Sequence, residues 1–171
     1  MIVHKNPYFN ILYKKNYYIY KPKYKEVIVL PVIDKNKFLL IKAKRELLNK
    51  SIYELPAGSA NKNESLINAA RREMEEETGV KLKKKDKLVK MKSVYQIPNR
   101  NPKPVNAYYV KLKSSQISFK GYDKKEVSSI KIFTLKQVLT LIENNQLCTS
   151  VPIAIIMQYI IKTFKNKLKL I

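Results

Sequence analysis

A cluster of acidic residues between positions 64 and 77 carries the clearest chemical signal in the sequence. Glu73, Glu76 and Glu77 are spaced i, i+3 and i+4, so that in an α-helix their carboxylates lie on one face. Like charges at this spacing repel one another, which destabilises a helix unless a cation lies between them. Mg²⁺ prefers oxygen ligands and is commonly shared between carboxylates and the phosphates of a substrate. The spacing therefore predicts a carboxylate site for Mg²⁺, with Mn²⁺ as the alternative metal.

A helix must position these carboxylates. Asn63 is a suitable N-cap, because its side-chain oxygen can accept a hydrogen bond from the first helical turn. Gly79 is a natural stop, since glycine readily adopts the left-handed conformation that ends many helices. Apolar side chains suited to packing recur along the same helix, at Leu66, Ile67, Ala70 and Met74. We therefore predict a glycine turn at Gly58 followed by a helix with one apolar side and one acidic face.

Residues 58–80 read GSANKNESLINAARREMEEETGV and resemble the Nudix box, G-x5-E-x7-R-E-U-x-E-E-x-G-U, in which U is a bulky aliphatic residue. Every fixed position is present, from Gly58 and Glu64 to Met74 and Val80. The chain is therefore identified as a member of the Nudix hydrolases. The resemblance implies an α/β (α+β) Nudix fold, in which a mixed β-sheet is sandwiched between helices. It also implies Mg²⁺-dependent hydrolysis of a pyrophosphate bond.

The resemblance implies a set of metal-site residues. Glu73 and Glu77 are the first candidates for direct ligands, and Glu76 would share or bridge a metal ion. The backbone carbonyl of Ala57, just before the box glycine, is a further ligand candidate. Arg72 is placed to hold a glutamate in position, with an ordinary helix ion pair as the alternative interpretation. Glu64 would support the site without binding the metal, as outer partners of metal ligands do.

Substrate contacts are expected from Arg45, Glu54 and Gly58. Arg45 could bind a diphosphate with two parallel hydrogen bonds, or it could form a surface salt bridge with Glu46 or Glu54. Three residues are candidates for the general base. Glu126 and Asp123 lie in the loop 121–126, where the ADP-ribose group of the family commonly has its base, and Glu76 is the choice if a box glutamate serves.

Within the family, the sequence most resembles ADP-ribose and nucleotide-sugar pyrophosphatases. The lead-in IYELPAG at residues 52–58, the position of Arg45, and the closing pattern ENNQLCTSVPIAIIMQYII all point to that group. The departures are Ala43 and Lys44 in place of Gln and Tyr before Arg45, and Asn61 and Asn63 in place of a glutamate and a glycine. The expected reaction splits ADP-ribose or another ADP-sugar into AMP and a sugar phosphate.

Other functions compete with this one. Tyr95 lies near the position of a tyrosine in dinucleoside-polyphosphate hydrolases of the family, although twelve tyrosines in the chain make a chance match easy. Nucleoside triphosphates and RNA 5′ ends or caps are further candidate substrates. A Nudix-fold sensor that binds a nucleotide sugar without turnover is the non-enzymatic alternative, but such proteins usually lose box glutamates and this chain keeps them.

The remaining pattern predicts a single domain over residues 1–171, without strict βαβ alternation. Residues 1–25 hold N-terminal strands, with a β-hairpin in 7–25 that turns at Lys14, Lys15 and Asn16. Further strands are predicted at 27–33, 38–43, 88–97, 105–112 and 127–133. Helices are predicted at 135–143 and from residue 151 to 167, within a C-terminal helical segment 151–171.

Composition narrows the function less than the motif does. The formal net charge is +22, which suits polyanionic partners such as RNA, but the lysines are spread along the whole chain, as biased genome composition alone would produce. No apolar run has the length of a membrane span, no signal sequence is apparent, and Cys148 and His4 are single residues of their type. We expect a cytoplasmic enzyme for a nucleotide-derived substrate, with no membrane association. The resemblance to the ADP-ribose group implies a homodimer that shares its N-terminal strands. The Tyr-rich segment 8–20 and the apolar last helix suit this arrangement, and packing within one chain is the alternative interpretation of both.

Overall fold

Two β-sheets and three α-helices make up the part of the chain that the computed structural model describes, residues 1–164. The helices are α1 (Leu66–Thr78), α2 (Leu135–Glu143) and α3 (Ser150–Phe164). The strands are β1 (Ile2–Lys5), β2 (Phe9–Lys14), β3 (Tyr17–Pro22), β4 (Glu26–Ile33), β5 (Lys37–Arg45), β6 (Lys50–Glu54), β7 (Ala57–Ser59), β8 (Val89–Lys90), β9 (Asn106–Leu112) and β10 (Val127–Thr134). No helix within residues 1–164 is long and apolar enough to cross a membrane.

The predicted N-terminal hairpin is confirmed. Strands β2 and β3 pair antiparallel and are joined by Lys15 and Asn16, both with positive φ (52° and 62°). This is the conformation of a type I′ turn, whose twist matches that of the strands it joins. Strand β1 adds to the outer side of β2 and completes a three-stranded sheet.

The larger sheet is mixed, because β4 runs parallel to β9 and antiparallel to β5 and β7. Residues 27–33 of β4 are all buried, as expected for a strand that is covered on both faces. Alternate β4 side chains, including Leu30, pack in one core cluster with Val138 of α2 and Ile155 of α3. The other side chains, including Val29, pack in a second cluster with Met74 of α1. The predicted sheet between helices is therefore confirmed.

Helix α1 ends as predicted and begins two residues later than predicted. Gly79 has φ 69°, and its backbone N–H donates to the carbonyl of Glu75 at 2.8 Å. The N-cap is Ser65, whose hydroxyl accepts the backbone N–H of Asn68, so the prediction of Asn63 as N-cap is wrong. Asn63 instead has φ 66° within the turn that precedes the helix. Asparagine tolerates this left-handed conformation, which is incompatible with the extended backbone of an N-cap.

The strand predicted at 88–97 is wrong beyond its first residues. Only Val89–Lys90 pairs as a strand with β9, and Val94 makes an isolated bridge to Val105. Val94 still packs against the core, whereas the side chains of Tyr95 and Ile97 are exposed, and in residues 95–97 no strand pairing continues beyond the bridge at Val94. The strands β9 and β10 and helix α2 agree closely with prediction. The last helix begins at Ser150, and the predicted segment beyond residue 164 lies outside the described residues.

We expect Gly79→Ala to lower the free energy of unfolding by about 2–4 kcal/mol. A Cβ at this residue would lie 2.3 Å from the carbonyl oxygen of Lys120, and the left-handed φ adds strain. Urea denaturation measures the change. The matched control is Gly121→Ala, which also has positive φ (81°) but meets no atom within 4 Å and should lose only about 1 kcal/mol. Equal losses in the two variants would contradict a role for the contact with Lys120.

Candidate active site

Two buried carboxylates of α1 lie against the backbone of strand β7. The carboxylate of Glu77 accepts the backbone N–H of Ala57 at 2.8 Å. The carboxylate of Glu73 lies over Gly58, where a Cβ would come within 2.2 Å of its oxygen. Only glycine permits this approach. Two of the three carboxylates that the sequence predicts on one face thus lie buried on the side of α1 that faces β7.

The electrostatics of this pair indicate uncompensated negative charge. Burial raises the pKa of Glu77 to about 8, against the lowering effect of the hydrogen bond from Ala57. The neighbouring charges of Glu73 and Glu126 raise this pKa further, while Arg45 lowers it. Burial likewise raises the pKa of Glu73, although Arg72 opposes the change. A bound cation would oppose both shifts, because it favours the ionised carboxylates.

Arg72 links three glutamates to strand β7. It donates to Glu73 at 2.7 Å, to Glu76 at 2.8 Å and to both carboxylate oxygens of Glu64 at 3.1 Å. It also donates to the backbone carbonyl of Ser59 at 2.8 Å. The hydrogen bonds that Arg72 donates to Glu64 in particular raise the pKa of Arg72 above its usual value. This arrangement holds the carboxylate of Glu73 in place, so Arg72 is a positioning residue here and Glu64 supports it.

Glu76 is more exposed than the other two box carboxylates. About half of its side chain is exposed, and it shares the Nη1 donor of Arg72 with Glu73. Within residues 1–164, no three Asp, Glu, His or Cys side chains converge as a ready metal cluster. The remaining donor set consists of Glu73, Glu77 and the carbonyl candidate Ala57. It suits Mg²⁺, which usually takes one or two carboxylates and completes its shell with water and substrate phosphates.

Arg45 and Glu54 form an ion pair between strands β5 and β6. Glu54 is buried, whereas almost half of the Arg45 side chain is exposed. The hydrogen bond from Arg45 to Glu54 is the main reason why the pKa of Arg45 is raised, and Glu77 and Glu126 contribute through their charges. The salt bridge to Glu54 that the sequence left open is therefore present. It also fixes a guanidinium group beside the buried carboxylates.

A cavity of about 500 Å³ opens next to this cluster. Arg45, Glu54, Ala57 and Gly58 line one side of it. Its other lining residues were not foreseen from the sequence: Glu26, Val27, Ile28, Leu55, Ser59, Gln96, Ile97, Val105, Thr149, Ser150, Val151 and Pro152. They come from segments that are distant in sequence and that the fold brings together, for example by the parallel pairing of β4 with β9 and the antiparallel pairing of β4 with β7. Tyr95 is absent from this lining, although its neighbours Gln96 and Ile97 belong to it.

The loop 121–126 is attached to both α1 and β5. The backbone N–H of Asp123 donates to the carbonyl of Glu76 at 2.8 Å. The backbone N–H of Lys44 donates to the carbonyl of Glu126 at 2.8 Å, and the Lys44 ammonium donates to the carbonyl of Lys124 at 2.9 Å. These bonds hold the loop beside the carboxylate cluster.

The two acidic side chains of this loop differ in availability. The carboxylate of Asp123 accepts the backbone N–H of Lys125 at 2.7 Å and so stabilises the turn itself. Glu126 is exposed, and its charge acts on both Glu77 and Arg45. The structure therefore brings Glu126 towards the cluster as a free carboxylate and leaves Asp123 as a turn residue.

Comparisons with known proteins agree with this geometry. The family model described as the NUDIX domain matches residues 22–148. The chain is 32% identical over 120 residues to the ADP-ribose pyrophosphatase of Bacillus subtilis (strain 168). The aligned region covers 70% of this chain and 63% of that protein. It is 30% identical over 134 residues to the methanol dehydrogenase activator of Bacillus methanolicus, covering 78% of this chain and 70% of the relative.

A solved structure shares the fold. The crystal structure of an ADP compounds hydrolase superposes with a TM-score of 0.72, covering 99% of this chain and 94% of the other. The sequence identity of 17% makes this a likeness of fold alone. The match to the Bacillus subtilis enzyme spans just under two thirds of that protein's length. Taken with the complete box and the carboxylates packed against Gly58, the family model shows that the chain belongs to the Nudix family.

Proposed function

We propose that the protein is a divalent-metal-dependent hydrolase that cleaves the pyrophosphate bond of ADP-ribose or another ADP-sugar into AMP and a sugar phosphate. The observation that carries the proposal is the pair of buried carboxylates, Glu73 and Glu77, held against β7 beside a cavity of about 500 Å³. This volume is in the range of small-molecule sites. The similarity to the ADP-ribose pyrophosphatase of Bacillus subtilis supports the choice of substrate.

Glu73, Glu77 and the carbonyl of Ala57 would hold the metal, which we propose to be Mg²⁺, with Mn²⁺ as the alternative. When bound, such an ion neutralises the phosphate oxygens, orients them and acidifies water. The donor chemistry fits this ion, because the buried carboxylates have too few cationic partners in the protein. Arg72 keeps Glu73 in its place over Gly58. Glu76 accepts from the same Arg72 nitrogen as Glu73 but is half exposed, so it would share or bridge the ion at the outer edge of the site.

The other side chains act on the substrate. Arg45 has five N–H donors and uses one of them on Glu54, so the others can donate to a diphosphate in the cavity. Glu54 fixes the guanidinium group in this position. Glu126 would accept the proton of the attacking water. The water oxygen then forms a bond to one phosphorus, and the bridging P–O bond breaks to release the two monophosphates.

The test of this function is a substrate panel with Mg²⁺, Mn²⁺ and EDTA, with products separated by chromatography. The panel holds ADP-ribose, other ADP- and GDP-sugars, diadenosine polyphosphates, nucleoside triphosphates and a capped RNA. We expect AMP and ribose 5-phosphate from ADP-ribose as the fastest reaction, with none in EDTA. Faster cleavage of a different class would reassign the substrate. Binding of ADP-ribose without turnover would identify a sensor and overturn the proposed activity.

We also propose that the protein works in the cytoplasm as a homodimer that uses its N-terminal sheet. Exposed aromatic side chains cluster on β2, β3 and the residue before β2, at Tyr8, Tyr13, Tyr17, Tyr18 and Tyr20. Aromatic residues of this kind are enriched in subunit interfaces. A monomer mass in light scattering would contradict the dimer and leave the proposed chemistry unaffected.

We expect Glu77→Gln to lower activity by more than about 100-fold, since even residues that only support a metal ligand contribute 10–100-fold. The same substitution should change how the stability of the metal-free protein depends on pH. The pKa of Glu77 is raised from its ordinary 4.5 to about 8, so the folded state keeps a proton that the unfolded state loses. The free energy of unfolding is therefore highest below pH 4.5 and falls towards pH 8, by at most about 1.4 kcal/mol per pH unit from this group.

Urea denaturation at a series of pH values measures this slope. Glu77→Gln should remove the part that falls between pH 4.5 and 8, because glutamine binds no proton in either state. Glu75→Gln is the matched control, since Glu75 is exposed on the same helix and should leave both activity and slope nearly unchanged. An unaltered slope in Glu77→Gln would show that another group is responsible.

We expect Glu126→Gln to lower kcat by about 10²–10⁴-fold with little change in KM, as for loss of a general base. Asp123→Asn should cost much less, because an asparagine oxygen can still accept the N–H of Lys125. Steady-state kinetics on the preferred substrate compares the two variants. A larger loss in Asp123→Asn would reverse the assignment, and small losses in both would move the role to Glu76.

A further inference from the structure

Lysines line two adjoining concavities at the end of the larger sheet that lies away from the candidate active site. Lys35, Lys111 and Lys113 line a cavity of about 580 Å³, together with Asp34 and the turn at 114–116. Lys85, Lys87 and Lys111 line a second one of about 320 Å³. We refer to Lys35, Lys85, Lys87, Lys111 and Lys113 as the lysine surface. Lys111 lines both cavities, so the surface is continuous.

The lysine surface is separate from the buried carboxylates. Strands β4 and β9 are parallel, and Ala57 pairs with Ile28 near the beginning of β4. Asp34 and Lys35 follow the other end of that strand, six or seven residues later. At about 3.3 Å per residue, this places the two sites roughly 20 Å apart. A ligand on the lysine surface therefore does not occupy the active-site cavity.

The acidic residues at this surface serve the fold. The carboxylate of Asp34 accepts the backbone N–H of Ser114 at 3.0 Å, and this bond is the main reason why its pKa is lowered. Asp86 is buried and accepts the backbone N–H of Lys83 at 2.7 Å and the side-chain amide of Gln116 at 3.2 Å. Both carboxylates are thus used to shape the turns around the cavities.

Within residues 1–164, no carboxylate pairs with a lysine of the lysine surface. In the described part of the chain, the lysines in ion pairs are Lys37, with Asp34, and Lys81, with Glu75. None of the five residues of the lysine surface forms one, and all five are exposed. Lys162 adds a further ammonium nearby, at 5.6 Å from the ring of Tyr109, which lines the second cavity. The surface therefore carries a local excess of positive charge around recesses.

We propose that the lysine surface binds the phosphate backbone of single-stranded nucleic acid, independently of the candidate active site. Ammonium groups arranged along a concave track match the phosphates of a flexible strand, which can follow the recesses. The hydroxyl of Ser115 at the first cavity adds a donor for phosphate oxygens. A planar membrane surface would meet the rim of these cavities and leave their interior unused.

Fluorescence anisotropy with a labelled 20-nucleotide single-stranded RNA tests the proposal without added metal ion. The surface variant replaces Lys85, Lys87, Lys111 and Lys113 by Gln. The matched control replaces four exposed lysines on other faces, Lys14, Lys21, Lys131 and Lys136, and so makes the same change in net charge. Both variants are first compared with the wild type by thermal denaturation.

We expect the surface variant to bind the RNA at least about tenfold more weakly than the wild type. The slope of log K against log salt should also become less steep by up to about 3, because each of the four lost phosphate contacts contributes about 0.7. The control should stay within about threefold, because charges beyond the screening length of about 10 Å contribute little. Hydrolysis of ADP-ribose by the surface variant should equal that of the wild type. This comparison separates failure of the proposed enzyme from failure of the nucleic-acid surface.

Equal losses in both variants would overturn the proposal and assign the attraction to net charge. No loss in either variant would also overturn it. Both variants are also sedimented with phosphatidylserine vesicles. If the surface variant no longer sediments with the vesicles but still binds RNA, a membrane is the partner and the proposal is wrong. As a second measurement on the wild type, bound RNA should protect Lys85, Lys87, Lys111 and Lys113 from acetylation more than Lys14, Lys21, Lys131 and Lys136. Uniform protection would contradict the proposal.

Discussion

The burial of two carboxylates against the backbone of β7 is the constraint on which the rest of the site depends. Taking an ionised carboxylate out of water is costly unless hydrogen bonds and opposite charge replace the lost hydration. The N–H of Ala57 supplies one hydrogen bond to Glu77, and the absence of a side chain at Gly58 makes room for Glu73. The apolar side of α1 keeps the helix in this position, because Met74 is fully buried against β4. The unfavourable burial that remains is the physical reason for proposing the pair as a cation site.

Two arginines divide the task of balancing this charge. Arg72 is only partly exposed and fixes the orientation of Glu73 through hydrogen bonds that reach Ser59 of β7. Arg45 lines the cavity, where it is hydrogen-bonded to Glu54 and where its charge lowers the pKa of Glu77. The two arginines do not restore the pKa of Glu77 to its ordinary value. The hydrogen bonds of the two arginines therefore preform the site, and the proposed cation would still stabilise the ionised carboxylates.

Local features of this site could be predicted from the sequence and non-local ones could not. The box fixes Glu73, Glu77 and Gly79, because helical spacing and a glycine stop depend only on near neighbours. The N-cap is Ser65 and not the predicted Asn63, since both residue types are suitable caps and only the geometry of the turn before the helix decides between them. Strand β8 has only two residues, because the length of a strand depends on its contacts with other segments. A local pattern of apolar residues does not contain that information. Cavity residues contributed by distant segments carry no local signal at all: Glu26, Gln96, Thr149 and Ser150.

The net charge of +22 is a second property that sequence alone cannot interpret, because it says nothing about where the charge is compensated. Acidic residues are few, and a large share of them lies on α1 and the turn before it, where Arg72 and the proposed metal engage them. The rest of the surface is therefore basic almost by default, and a positive field around a negative cleft draws anionic substrates towards it. Against that background, a local surface differs from the average only through geometry. Unpaired lysines that share a recess can engage successive phosphates together, which lysines scattered over convex faces cannot do.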